Sequence, residues 1–268
     1  MAFKKKINVS LVQPNIAWED RDANLSHLAS LIEPIQRTDL IVLPEMFPTG
    51  FSMRPQEMAE ATNGPSTNWM ANIATSKQSY VTGSIITKEG GQFFNRLIWM
   101  APDGSYEHYD KRHLFSFANE HAHYQAGKER IITDLYGWRV CPLICYDLRF
   151  PVWSRNQDVN GGFSDSEFDL QLFVANWPEA RRRPWMTLLE ARAHENQCFV
   201  IGVNRVGTDG NGIDHSGDSA LYDPKGMLVS DIPPNEETVR SYDIDLGALH
   251  SFREKFTPWK DKDRFNLI

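Results

Sequence analysis

Apolar residues recur in two rhythms along this chain, and together they predict strands alternating with helices. Short continuous runs from Ile7 to Val12, Leu40 to Leu43, Phe168 to Ala175 and Cys198 to Val203 suit buried strands. Leu25, Leu28, Leu31, Ile32 and Ile35 instead fall on one helical face behind the potential caps Asp20, Asp22 and Asn24, with Pro34 expected to kink the end. A second helix starts at Pro65-Ser66 and carries Trp69, Met70, Ile73 and Ala74; a third runs from Glu179 to Gln197, its regular part beginning near Pro184. Tyr80 to Ile86 and Phe93 to Met100 read as a hairpin through Glu89-Gly90-Gly91, and a turn at Pro102-Asp103-Gly104-Ser105 leads into a strand from Tyr106 to Lys111. Asn160-Gly161-Gly162 reads as a connection and Gly207 to Gly217 as a loop. Ser219 to Tyr222 and Met227 to Asp231 read as a hairpin, followed by a strand from Val239 to Ile244 and a short helix near Leu249. β-α-β units stand at both ends and no repeat or linker interrupts them, so we expect one α/β domain over residues 1–268 with two mixed sheets flanked by helices.

The polar residues that matter break this pattern at strand ends. In WRVCPLICYDLRFP, strand-formers deliver Cys145 to an abrupt polar turn; Pro44-Glu45 closes the second strand, Lys111 ends another, and Asn176-Trp177 follows Phe168 to Ala175. Ligands bind outside the carboxyl ends of strands in open α/β sheets, which favours a site here. Each residue also has a plainer role open to it: Cys145 as a small core hydrophobe, Glu45 as a solvated loop residue, Lys111 as a surface cation. Cys141 lacks the strand-end position and reads as a core thiol. The aromatic tail with Phe256, Trp259 and Phe265 must pack on this protomer or a second one.

Charge and composition narrow the partners. A net charge of -7 with a pI near 5.6 argues against a nucleic-acid polyanion. The basic runs Lys4 to Lys6 and Arg181 to Arg183 form no stripe. No run of about 18 apolar residues suggests a membrane span, and no secretory stretch follows MAFKKK, so a soluble cytoplasmic protein is expected. Three cysteines without zinc spacing disfavour a disulfide framework or structural metal. His113 to Gly127 is a long non-periodic loop containing Glu120. Its His113, His121 and His123 raise a zinc alternative that lacks a third ligand at convincing spacing. GTDGNGIDHSG has neither a dinucleotide fingerprint nor a P-loop lysine.

A cysteine needs a base or a positive field to become a thiolate near neutrality, and a glutamate with a lysine supplies one of each. LPEMFPTGF around Glu45, YDKRHLF around Lys111 and CYDLRFP around Cys145 match, in order, the three catalytic motifs of the nitrilase superfamily of carbon–nitrogen hydrolases, which this chain resembles over nearly its whole length. The resemblance implies an α-β-β-α sandwich, commonly doubled by dimerisation through helices and C-terminal segments, and so a homodimer. It implies Cys145 as nucleophile, Glu45 as base, Lys111 with the Tyr146 backbone N–H as oxyanion donors, and Glu120 as the second glutamate that orients Lys111. No metal or organic cofactor is implied. KRHLFSFANEHAHY, VANWP and ARAHENQ look most like the ω-amidases, which cleave the terminal amide of 2-oxoglutaramate and 2-oxosuccinamate. An N-carbamoyl-amide hydrolase, a nitrilase proper, a catalytically silent binding subunit and a histidine-dependent metallohydrolase are the competing readings. A dicarboxylic monoamide needs a cation for its free carboxylate, supplied by Arg149 or one of Arg181 to Arg183, with Asn176 and Trp177 walling the pocket; Arg149 could equally pair with Asp147.

Overall fold

Alternation along the first strands sorts their side chains onto two faces. In the computed structural model, which describes residues 3–157, 166–263 and 265, these elements are β1 (Lys6–Gln13), α1 (Arg21–Ile32), β2 (Leu40–Val42), α2 (Pro55–Met58), α3 (Pro65–Lys77), β3 (Tyr80–Glu89), β4 (Gln92–Met100) and β5 (Tyr106–Asp110). Ile7, Val9, Leu11, Leu40, Val42, Leu97 and Trp99 point into a central core, whereas Ile41, Leu43, Val81, Ile85, Ile98 and Met100 meet Leu25, Leu28, Ile32, Met70 and Ala74 of α1 and α3. One sheet is thus buried on both faces, as the continuous apolar runs required. Asp20 caps α1 by accepting from the Ala23 N–H, and the helix stops at Ile32, ahead of Pro34.

The second half supplies β6 (Thr133–Leu135), β7 (Trp138–Ile144), β8 (Leu170–Ala175), α4 (Arg182–Asn196), β9 (Phe199–Asn204), β10 (Val206–Thr208), β11 (Asp214–Ser216), β12 (Ala220–Tyr222), β13 (Thr238–Asp245) and α5 (Leu246–Lys255). The sheets run β13-β1-β2-β3-β4-β5 and β12-β9-β8-β7-β6, with β10 and β11 as a separate hairpin. The inner faces share one core, and Trp185, Leu189 and Ala193 of α4 cover the outside of the second sheet, giving the expected α-β-β-α layering. β1, β2 and β3 are parallel; β4 is antiparallel to β3 and β5 to β4, so β5 again runs with β2. β7, β8 and β9 are parallel to one another. The carboxyl ends of β2 and β5 therefore share one edge of the first sheet, and those of β7 and β8 share one edge of the second.

Several expectations change in detail. The glycine-rich stretch 207–217 forms the β10–β11 hairpin, because the Asp209 carboxylate accepts from the Asn211 and Ile213 N–H groups and builds its turn. Met227 to Asp231 contributes only an isolated bridge between Leu228 and Tyr222, since the Ser230 hydroxyl, not a strand carbonyl, takes the Leu221 N–H. Regular helix begins at Arg182, after a 3-10 turn over Glu179–Arg181. Trp259 folds back to donate to the Arg253 carbonyl, while Phe256 stays 54% exposed. Asn160-Gly161-Gly162 lies outside the described residues. No described helix is long and apolar enough to cross a membrane.

The loop after β5 returns against the strand's last residues, where the Gly127 N–H donates to the Lys111 carbonyl at 2.9 Å. A Cβ on Gly127 would sit 2.0 Å from the Asp110 carbonyl oxygen, so the backbone would have to move. We expect Gly127→Ala to destabilise the fold by about 1–3 kcal/mol, measured as a lower urea midpoint at unchanged slope.

Candidate active site

Each reactive residue lies just past a strand. Beyond β2 the chain stays bonded to β3 through Leu43 N–H to Thr82 O and Ser84 N–H to Pro44 O, carrying Glu45 to the sheet edge, where Met46 turns away with φ of 42°. Lys111 follows β5 with its N–H on the Asn95 carbonyl. At the end of β7 the backbone snaps into a 3-10 turn over Cys145–Arg149, and Cys145 itself takes φ of 43°. A non-glycine residue in the left-handed region costs on the order of 1–3 kcal/mol, so something must hold it.

Asp147 does. Its carboxylate is fully buried and accepts four hydrogen bonds: from the Tyr109 hydroxyl at 2.7 Å and the Ile144 N–H at 3.1 Å on one oxygen, and from the His113 N–H at 3.0 Å and ring Nδ1 at 2.8 Å on the other. Tyr109 and His113 stand two residues either side of Lys111, so this one carboxylate fastens the Cys145 turn to the strand that carries Lys111. It is also why Arg149 forms no ion pair with Asp147 among the described residues.

The predicted reactive residues come together. Lys111 Nζ lies 2.8 Å from Glu45 and 2.9 Å from Glu120, with all three side chains shut off from solvent. Asn95 donates to both carboxylates, and the Asn176 N–H donates to Glu45 at 2.8 Å from the other sheet. The Asn176 side-chain amide donates to the Glu45 carbonyl, and the Phe115 N–H to Glu120 at 2.5 Å. Burial alone would discharge Lys111, but Glu120 and then Glu45 outweigh it and hold the ammonium well above its ordinary pKa. Burial likewise raises Glu120 against the pull of Lys111. Burial first, then the Glu45 charge, pushes the Cys145 thiol well above its usual value, only partly offset by Lys111.

Cys145 is 8% exposed, at the wall of a cavity of about 260 Å³. Arg149, Asn176 and Trp177, the candidate substrate-binding residues, line it together with Tyr146. Of the basic run, Arg181 lines it too, whereas Arg182 pairs with Asp218 and Arg183 points to solvent. Phe51, Phe115, Phe117 and His215 also line this wall and were not singled out in the sequence; HLFSF in the long loop was the available signal for Phe115 and Phe117. His113 is spent on Asp147 and stacks on Phe150 at 3.7 Å, and His121 is exposed. Among the described residues, no three His, Cys, Asp or Glu side chains are grouped to hold a metal.

Two outcomes follow from this geometry. A thiol protonated by burial and a neighbouring carboxylate should be alkylated by iodoacetamide at a rate that climbs with pH and reaches no plateau at or below pH 9.0, monitored by intact mass. Asp147→Asn would set an amide N–H₂ against groups that donate. We expect a stability loss of about 2–3 kcal/mol in urea titration, together with altered Cys145 alkylation.

Comparison with known proteins agrees with this arrangement. The family model described as carbon-nitrogen hydrolase matches residues 8–254. An omega-amidase, YafV of Escherichia coli K12, is 42% identical over 261 residues, covering 97% of this chain and 98% of its own. A 2-oxoglutaramate amidase of Bacillus subtilis is 30% identical over 260 residues, covering 96% and 97%. Among solved structures, a CN-hydrolase superfamily protein of Xanthomonas campestris, crystallised with an arsenic adduct in its active site, superposes with a TM-score of 0.95 at 44% identity, covering 98% of this chain and all of that one. Sequence, fold and the clustering of Glu45, Lys111 and Cys145 thus converge, and the chain belongs to the carbon-nitrogen hydrolase family.

Proposed function

We propose that this enzyme hydrolyses the terminal amide of small ω-amides such as 2-oxoglutaramate or 2-oxosuccinamate to an acid and ammonia. The observation that carries the reading is the buried Glu45–Lys111–Glu120 cluster against Cys145, at a cavity whose wall also holds Arg149. The relatives named omega-amidase and 2-oxoglutaramate amidase, similar over nearly the full chain, support the substrate class.

Glu45 takes the Cys145 proton as sulfur attacks the amide carbon, forming the C–S bond and an oxyanion. Lys111 Nζ and the Tyr146 N–H receive that oxyanion; early N–H groups of a helical turn have no partner within it, which leaves Tyr146 free to donate. Collapse breaks the C–N bond, and Glu45 returns the proton to the leaving nitrogen as ammonia. Water then attacks the thioester, Glu45 accepts its proton, the C–S bond breaks, and the proton passes back to sulfur. Glu120 keeps Lys111 oriented and charged throughout.

Arg149, four residues beyond the nucleophile with its guanidinium 5.0 Å from the Trp177 ring, is the anchor for the substrate's free carboxylate. Asn176 and Trp177 complete the wall. We further propose a cytoplasmic homodimer of one-domain protomers. The free thiols Cys141, Cys145 and Cys198 favour a reducing compartment, and exposed Met227, Leu228, Val229 and Phe256 offer apolar surface to a second copy.

A coupled ammonia assay over small amides and nitriles, with mass detection of acyl-Cys145, tests the reading. We expect turnover of 2-oxoglutaramate and little of simple nitriles, none with Cys145→Ala, and a kcat loss of roughly a hundredfold to a thousandfold with Lys111→Met. Arg149→Gln should raise KM for carboxylated amides and spare neutral ones. Strong nitrile turnover without amide turnover overturns it.

A further inference from the structure

Two guanidinium groups, Arg149 and Arg181, line the one small cavity that holds Cys145. Among the described residues neither forms an ion pair; each rests on aromatic rings instead. Arg149, itself half-buried, lies 5.0 Å from the ring centroid of Trp177, a residue only 4% exposed, and so takes the inner of the two positions. Arg181 lies 4.9 Å from Phe117 and 5.5 Å from Phe115, and Phe117 is 80% exposed, so its place is the mouth. Trp177 connects the two positions by donating its indole N–H to the Arg181 carbonyl at 2.8 Å. Among the described residues the one carboxylate lining the same cavity, Asp209, turns an oxygen onto the N–H groups of Asn211 and Ile213 in its own hairpin.

Two like charges along one apolar wall repel each other, and a ligand bearing two anionic groups relieves that repulsion. One carboxylate on the acyl chain answers one arginine and leaves the other unmatched. The apolar remainder of the wall, Phe51, Phe115, Phe117, Trp177 and Ile213, suits the carbon chain between such groups.

We propose that Arg181 is a specificity-determining residue that reads a second acidic group at the mouth of the cavity. Within the ω-amide class, an acyl chain that carries a second carboxylate is then held at two points, the inner carboxylate on Arg149 as in 2-oxoglutaramate and the outer on Arg181. This deepens the ω-amide reading above and rests on it. Arg181 contributes to recognition and leaves the reacting atoms to Cys145, Glu45 and Lys111.

The test compares glutaramate with the 1-monoamide of tricarballylic acid, which carries one more carboxylate, in wild type, Arg181→Gln, Arg181→Lys and Arg149→Gln. Ammonia release gives kcat and KM, and calorimetric titration of each amide into Cys145→Ala protein reads binding without chemistry. Expected are a lower KM for the dianion in wild type, and a rise of roughly tenfold to a hundredfold in that KM with Arg181→Gln at little change in kcat. Glutaramate should change by no more than about twofold in the same variant, Lys should restore part of the loss, and Arg149→Gln should weaken both substrates. Equal weakening of both amides by Arg181→Gln, or no dianion preference in wild type, overturns the proposal. Loss of amide turnover with nitrile turnover retained would fail the ω-amide reading instead, and the titration would still report whether Arg181 distinguishes one carboxylate from two.

Discussion

The ammonium of Lys111, closed off from water between two carboxylates, sets the terms for everything around it. A buried charge costs several kcal/mol unless its partners are close and themselves hydrogen-bonded, and removing one partner of such a group typically costs about 3–5 kcal/mol. Here the partners are fixed in turn: Asn95 bridges the two carboxylates and the Asn176 N–H takes the second oxygen of Glu45. Glu45 and Lys111 leave the first sheet and Asn176 the second, so the cluster closes only when the two sheets meet correctly. The polar joint depends on the apolar core between the sheets, and the core's register is checked by the joint.

Burial and charge together set the poise of the cluster. Burial first, and then the Glu45 charge only partly offset by Lys111, hold the Cys145 thiol well above its usual value. In the proposed reaction the proton leaves as negative charge moves from sulfur to the substrate oxygen, toward Lys111. The lysine needs no reorganisation to receive it, because Glu45 and Glu120 already hold its position and charge. The unfavourable backbone angle at Cys145 belongs to the same arrangement: it aims the thiol out of the strand line, and Asp147 holds it there through Ile144, Tyr109 and His113.

What could be read in the sequence follows from which forces are local. Alternation and apolar runs placed β2, β5, β7 and β8, and hence the strand-end positions of Glu45, Lys111, Cys145 and Asn176, because burial acts on each residue by its own character. Asp147 lies inside the motif and still gave no local sign of its role, since three of its four hydrogen bonds come from Tyr109 and His113, more than thirty residues away in sequence. The β10–β11 hairpin was hidden for a similar reason: glycines announce a turn, but the Asp209 side chain builds it. Met227 to Asp231 had strand-like composition, and a single serine hydroxyl ended the ladder after one bridge. Arg181, Arg182 and Arg183 are indistinguishable as a run. Only the 3-10 turn ahead of α4 gives them three different fates, one facing the cavity, one on Asp218 and one in solvent.

The reactive trio does not by itself choose a substrate, since a thiolate attacks a nitrile carbon as readily in principle as an amide carbonyl. Choice lies in where the rest of the molecule is held relative to sulfur. Arg149 closes the same 3-10 turn that Cys145 opens, four residues on. The Asp147 carboxylate inside the turn is bonded to both flanks of Lys111, which fixes the backbone from which Arg149 extends. On the proposed reading, the device that holds the nucleophile in its unfavourable conformation also fixes the distance between the reacting carbon and the carboxylate anchor. Reactivity and chain-length selection then depend on the same buried aspartate and should weaken together when it is lost.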